Sequence, residues 1–155
     1  PSRYCSSDKL RDFALDNFGS LQGGQLALAI ADWVRANIRY TPGSSDEETT
    51  SAETFLQRQG ICRDFAHLTI SFARGLGMPA RMVSAYAWQL DPPDFHAVVE
   101  VYLDGGWYLI DPTGLAPIEG VARIGVGRDA ADISFMTIFG TGEMRSQSVI
   151  VNRID

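Results

Sequence analysis

The chain has 155 residues, of which 45% are hydrophobic and 21% charged, and carries a net charge of −6. That size suits one domain with room for a core, and the acidity, with no Lys/Arg cluster, argues against a nucleic-acid or anionic-membrane partner. No run approaches the ~18 apolar residues of a membrane span.

A start at Pro1 rather than Met implies processing or cutting. Two cysteines, Cys5 and Cys62, make no disulfide framework and point to a reducing, cytoplasmic setting. Within the lead-in from Pro1 to Gly19, Ser7-Asp8 caps a brief helix through Leu10, Phe13 and Ala14. Gly23-Gly24 breaks the chain. From Gln25 to Tyr40, Leu26, Ile30, Trp33, Val34 and Ile38 mark one face of an amphipathic helix. Pro42 to Ser45 is a loop, and Asp46-Glu47-Glu48 reads as its solvated continuation, with a cation site as the minor alternative.

Thr50-Ser51-Ala52-Glu53 has the spacing of a capping box, so a short helix is expected to about Gln59, stopped by Gly60. A second helix starts almost at once, with Phe65, Leu68, Phe72 and Leu76 as its stripe. Gly77 and Pro79 end it, and Ala66, Ile70 and Ala73 on its other sides predict a helix buried in the domain. The period then changes from 3.6 to 2. Strands are predicted at Arg81–Leu90, Phe95–Leu103 and Trp107–Asp111, with Asp104-Gly105 as a hairpin turn. Val121–Val126 is a further strand, Asp129–Ile138 a short helix or turn, and Ser148–Arg153 a last strand. Helices first and antiparallel strands later predict an α+β fold.

Cys62 falls in the first turn of the second helix, where unpaired N–H groups and the helix dipole favour a negative charge. A thiolate is the reactive form of cysteine, and the same N–H groups can hold an oxyanion. A buried structural cysteine is the plain alternative. A nucleophilic cysteine needs a base, and there are two histidines. His67 lies five residues on along the same helix, about 500° around it, so its side chain diverges from Cys62. His96 lies on a strand face with Val98, Glu100 and Tyr102. If Asp104-Gly105 turn the hairpin, Tyr102 faces Trp107 and Val98 faces Asp111. Asp111 is then a diagonal neighbour of His96, ~7–8 Å away along the backbone and within side-chain reach. A Gly105-Gly106 turn would instead set Asp111 opposite Glu100, too far from His96. A carboxylate beside the imidazole orients it and stabilises its charged form; Asp111-Pro112 as a mere turn former is the other reading.

The stretch Gly60-Ile61-Cys62-Arg63-Asp64-Phe65-Ala66-His67-Leu68 resembles the nucleophile motif of bacterial transglutaminase-like proteins. Asp94-Phe95-His96-Ala97-Val98 resembles their histidine motif, and Gly106-Trp107-Tyr108-Leu109-Ile110-Asp111-Pro112-Thr113 their aspartate motif. The likeness runs from about Ala29 to Gly140 and takes in the stretch from Arg123 to Asp132. It implies a papain-like cysteine fold, with a Cys62 helix packed on an antiparallel sheet that bears His96 and Asp111. It implies that residues 1–155 form a single transglutaminase-like catalytic domain, and that a β-rich domain preceded Pro1. Cys62, His96 and Asp111 are its implied catalytic triad.

The expected chemistry is thiol-dependent acyl transfer from a protein or peptide amide, with no cofactor and no metal. Hydrolysis of the cysteine protease or amidase type leads, transfer to an amine is the alternative, and a non-catalytic interaction module on the same scaffold is the rival from another class. The second oxyanion donor is open. Animal transglutaminases use an upstream indole, but Trp33 sits on a helix face where core packing explains it, leaving Tyr40, Gln57 and Gln59. Asp64 complements the helix dipole. Arg128, Asp129 and Asp132 either fold against the site or form a capped, exposed turn. Tyr86, Trp88 and Phe95 are candidate cleft walls or core, and Asp91-Pro92-Pro93-Asp94 is a stiff loop at the groove's border. A structural zinc site from Cys5, Cys62, His67 and His96 lacks paired ligand spacing.

Overall fold

The computed structural model describes residues 2–154; Pro1 and Asp155 lie outside it. Four helices precede a four-stranded sheet, and the last of them packs on it, giving the expected α+β arrangement. The helices are α1 (Ser7–Phe18), α2 (Gly23–Asn37), α3 (Ser51–Gln57) and α4 (Cys62–Gly75). The short strands β1 (Arg39–Tyr40) and β2 (Gln59–Gly60) pair in parallel, Tyr40 opposite Gly60. The main sheet has the order β5-β4-β3-β6 and is antiparallel throughout, from β3 (Ala80–Ala87), β4 (Phe95–Leu103), β5 (Gly106–Ile110) and β6 (Val121–Gly127).

Helix α4 is central. Leu68, Ile70 and Phe72 are fully buried, as its apolar pattern predicts. One side meets Met82, Val99 and Val101 of the sheet, and another meets Ile30 and Val34 of α2. Trp33 belongs to an aromatic cluster, with its ring 5.0 Å from Phe13 and 5.4 Å from Phe72. Its role is therefore core packing.

The hairpin between β4 and β5 turns on Asp104 and Gly105, both at positive φ, the conformation a two-residue turn demands. Leu103 pairs with Gly106 and Val99 with Ile110. Continued by one residue, this register sets Val98 opposite Asp111.

Several element ends differ from the sequence reading. Helix α1 runs on to Phe18, further than the brief helix expected. Helix α2 stops at Asn37 because Ile38 is extended (φ −112°, ψ 127°), which frees Tyr40 to join β1. The Thr50–Glu53 capping box forms, but α3 ends at Arg58 in the left-handed region, not at Gly60. Strand β3 stops at Ala87, short of Leu90. Asp129–Ile138 opens with the turn, not the helix, of the two expected forms, and Ser148–Arg153 forms no strand. Both segments are held by contacts between side chains distant in sequence.

Candidate active site

Gly60 and Asp64 build the start of α4. A Cβ on Gly60 would stand 2.7 Å from the Asp64 Cβ, so this approach needs a residue with no side chain. Asp64 is fully buried. Its Oδ2 accepts from the Ile61 backbone N–H at 2.9 Å and from the Ser45 hydroxyl. Its Oδ1 accepts from Arg63 Nη2 at 3.0 Å. Asp64 therefore latches the loop before α4 onto the helix, beyond the dipole role read from sequence. Cys62 is the first residue of that helix and is 9% exposed.

His96, near the start of β4, is 1% exposed. Its Nε2 donates to Asp111 Oδ2 at 2.9 Å. A carboxylate accepts only, so this bond fixes the proton on Nε2 and leaves Nδ1 for the Cys62 side. Nδ1 has no hydrogen-bond partner among the described residues, yet the thiol lies close enough to act on the ring. Burial lowers the His96 pKa; the Asp111 hydrogen bond, the thiol and both groups' charge overcome it, leaving it raised to about 9. Burial likewise pushes Asp111 up, and the bonds from His96 and Thr113 outweigh it, holding the carboxyl below its usual range.

Two residues around Asp111 were not singled out in the sequence. The Thr113 backbone N–H and hydroxyl donate to Asp111 Oδ1 at 2.9 and 2.7 Å. Arg35, on α2, donates to the Asp111 carbonyl at 2.8 Å. An Asp followed two residues later by Thr is the spacing of an Asx turn, and that signal marks Thr113. Arg35 has no comparable local signal.

His67 takes no part in this cluster. It is fully buried, stacked on Tyr4 at 4.9 Å, and its Nε2 accepts from the Ala130 N–H at 3.2 Å. Burial lowers its pKa to about 3, so it stays neutral. Cys5 is buried elsewhere, and burial pushes its thiol pKa up. Among the described residues no three His, Cys, Asp or Glu side chains converge as metal ligands.

A groove of about 330 Å³ opens on Cys62. Met82, Phe95, Ile133 and Phe135 give it apolar walls, and Glu47 and Asp94 add acid to its lining. Phe95 is thus a wall, its ring stacked on Phe135 at 4.7 Å. Tyr86 packs behind Phe95 at 5.6 Å, and Trp88 lines separate hollows on the far side of Asp94. The Arg128 cluster divides. Asp129 accepts from the Ser2 hydroxyl and from the Arg3 and Tyr4 N–H groups, while Arg128 pairs with Asp132 at the surface. Arg128, Asp129 and Asp132 do not line the groove; Ala130, Ile133, Ser134 and Phe135 do. A larger hollow, about 620 Å³ between the start of α1 and Arg74, is lined by Ser2, Cys5 and Arg128 but not by Cys62, His96 or Asp111.

The profile of the transglutaminase-like superfamily matches residues 16–112. A crystal structure from Cytophaga hutchinsonii, provisionally assigned to the cysteine proteases, is similar with 46% identity and a TM-score of 0.88, over 91% of this chain and 49% of that one. The periplasmic domain of TgpA from Pseudomonas aeruginosa is 25% identical with a TM-score of 0.57, over 77% and 48%. An uncharacterised Mycobacterium leprae protein is 34% identical over 69% of this chain and 41% of its own length. The chain spans less than half the length of each of these relatives. No helix among the described residues is long and apolar enough to cross a membrane.

Proposed function

The chain belongs to the transglutaminase-like superfamily, and on that premise we propose that it transfers acyl groups from amides through Cys62, His96 and Asp111, with water as the usual acceptor. The observation that carries this reading is the 2.9 Å bond from His96 to Asp111, with the opposite ring nitrogen left for the thiol at the head of α4.

The Cys62 thiolate attacks the amide carbonyl. A C–S bond forms, and the carbonyl π pair moves to oxygen, stabilised by the Cys62 N–H. Collapse restores the carbonyl and breaks the C–N bond while His96 passes its proton to the departing amine. The thioester remains on Cys62. Neutral His96 then takes a proton from water or from a second amine as that nucleophile attacks, and thiolate leaves. Asp111 keeps the imidazole oriented throughout.

The likeness to the Cytophaga protein supports a peptidase or amidase. The apolar walls of the groove favour the alternative, a protein-glutamine transglutaminase, since excluding water protects the thioester for an amine. A glutamine peptide incubated with and without a primary amine separates them. Hydrolysis predicts either ammonia release from the glutamine side chain or a cleaved peptide bond, without amine incorporation, and preferential incorporation overturns it. A non-catalytic module would give neither product. Two free thiols support a cytoplasmic setting, which fractionation of the source cells tests.

A further inference from the structure

An acyl-transfer site needs more than one donor for its oxyanion, and the Cys62 N–H is one. Of the upstream side chains, Trp33 is committed to the aromatic cluster. Gln59 accepts from Arg39 at the surface, and Gln57 is exposed at the end of α3. Tyr40 stands differently. Its backbone is clamped beside the start of α4, because the Arg39 N–H donates to the Arg58 carbonyl and the Thr41 N–H to the Gly60 carbonyl, each at 2.9 Å. Its ring lies 5.9 Å from Phe65, one turn along α4 from Cys62. Its phenol lies near enough to Cys62 for that residue's thiol and backbone N–H to act on its ionisation. Tyr40 remains 40% exposed, so its side chain is not sealed in the core.

We propose that the Tyr40 hydroxyl is the second oxyanion donor, acting with the Cys62 backbone N–H on the tetrahedral intermediate. This rests on Cys62 being the nucleophile. An acyl oxygen entering beside the sulfur takes over the Cys62 N–H and accepts the phenol O–H. When the C–S bond forms and the π pair moves to oxygen, both donors are in place. Tyr40 donates a hydrogen bond and transfers no proton. Burial and the neighbouring thiol push its pKa up to about 12, so it stays a donor at any pH the enzyme meets.

The test compares two reactions of the same thiol in Tyr40→Phe, which keeps the ring on Phe65. Acylation by p-nitrophenyl acetate passes through an oxyanion; alkylation by iodoacetamide is a displacement at carbon and does not. Each rate is taken at the plateau of its pH profile, where the thiol is ionised. The expected result is acylation slowed by ~10²–10³-fold with alkylation unchanged within about twofold. Acylation at the wild-type rate overturns the donor role and leaves Cys62 untouched. Equal loss of both reactions assigns Tyr40 to holding the thiol and also overturns it. A wild-type protein that is alkylated at Cys62 but never acylated overturns the acyl-transfer reading itself.

Discussion

Under the proposed function, a histidine whose pKa is raised to about 9 would meet its substrate as an acid. Beside a thiolate it can protonate the leaving amine at once, and it becomes a base only after giving that proton away. Asp111, together with the Cys62 thiol, keeps it charged, and Thr113 keeps Asp111 in place. Acylation by amides is therefore expected to fall as pH rises through about 9, where His96 loses its proton. Asp111→Asn removes a charge that raises this pKa, so the alkaline limb moves to lower pH and kcat/KM falls by up to ~10⁴-fold. A pH–rate profile of the two proteins checks both effects. At this scale much was legible. Cys62 was marked by a helix start, His96 by the divergence of His67, and Asp111 by a hairpin register that the structure reproduces. Thr113 and Arg35 act on Asp111 through short contacts that strand periodicity does not report.

Among the elements, the junction between β2 and α4 matters most, because it places the Cys62 N–H and thiol together. Gly60 reads from sequence as a helix stop, but its work is to let Asp64 cap the Ile61 N–H. Gly60→Ala is expected to destabilise the fold by about 1–3 kcal/mol, since neither the added methyl nor the Asp64 Cβ has room to move. It should also slow acylation by shifting the head of α4. The urea midpoint and the acylation rate measure these two outcomes. Helix α4 and the β4–β5 hairpin were the most legible elements, each having a long period and a clear stop or turn residue. The end of α2 was not. Ile38 continues the helical spacing of apolar residues, yet its backbone is extended because Arg39 and Tyr40 are drawn into pairing with a strand twenty residues away.

Over the whole molecule, the two histidines impose opposite pH slopes on stability. His96 has a folded pKa raised above its ordinary 6.5 to about 9, so its contribution is complete below 6.5 and is lost as pH rises through 9. His67 has a folded pKa lowered to about 3, so below 6.5 the unfolded chain binds the proton first and stability falls. Each slope reaches at most about 1.4 kcal/mol per pH unit. Stability is expected to peak near pH 6.5, and His67→Gln should flatten the acid side alone, as urea titrations across pH would read. The path of residues 129–154 was the least legible feature of the fold. Phe135 on Phe95, Gln147 on Asp94 and Asp129 on the Ser2–Tyr4 segment join positions 40 to 127 residues apart. Such contacts leave no local period to read. If one thiol, Cys62, forms an acyl-enzyme with His96 as its proton carrier, site-mapped mass spectrometry after exposure to an acyl-ester probe will find one acyl group, on Cys62, formed far more slowly in His96→Ala. Acylation on Cys5, or on Cys62 at an unchanged rate without His96, would rule this out.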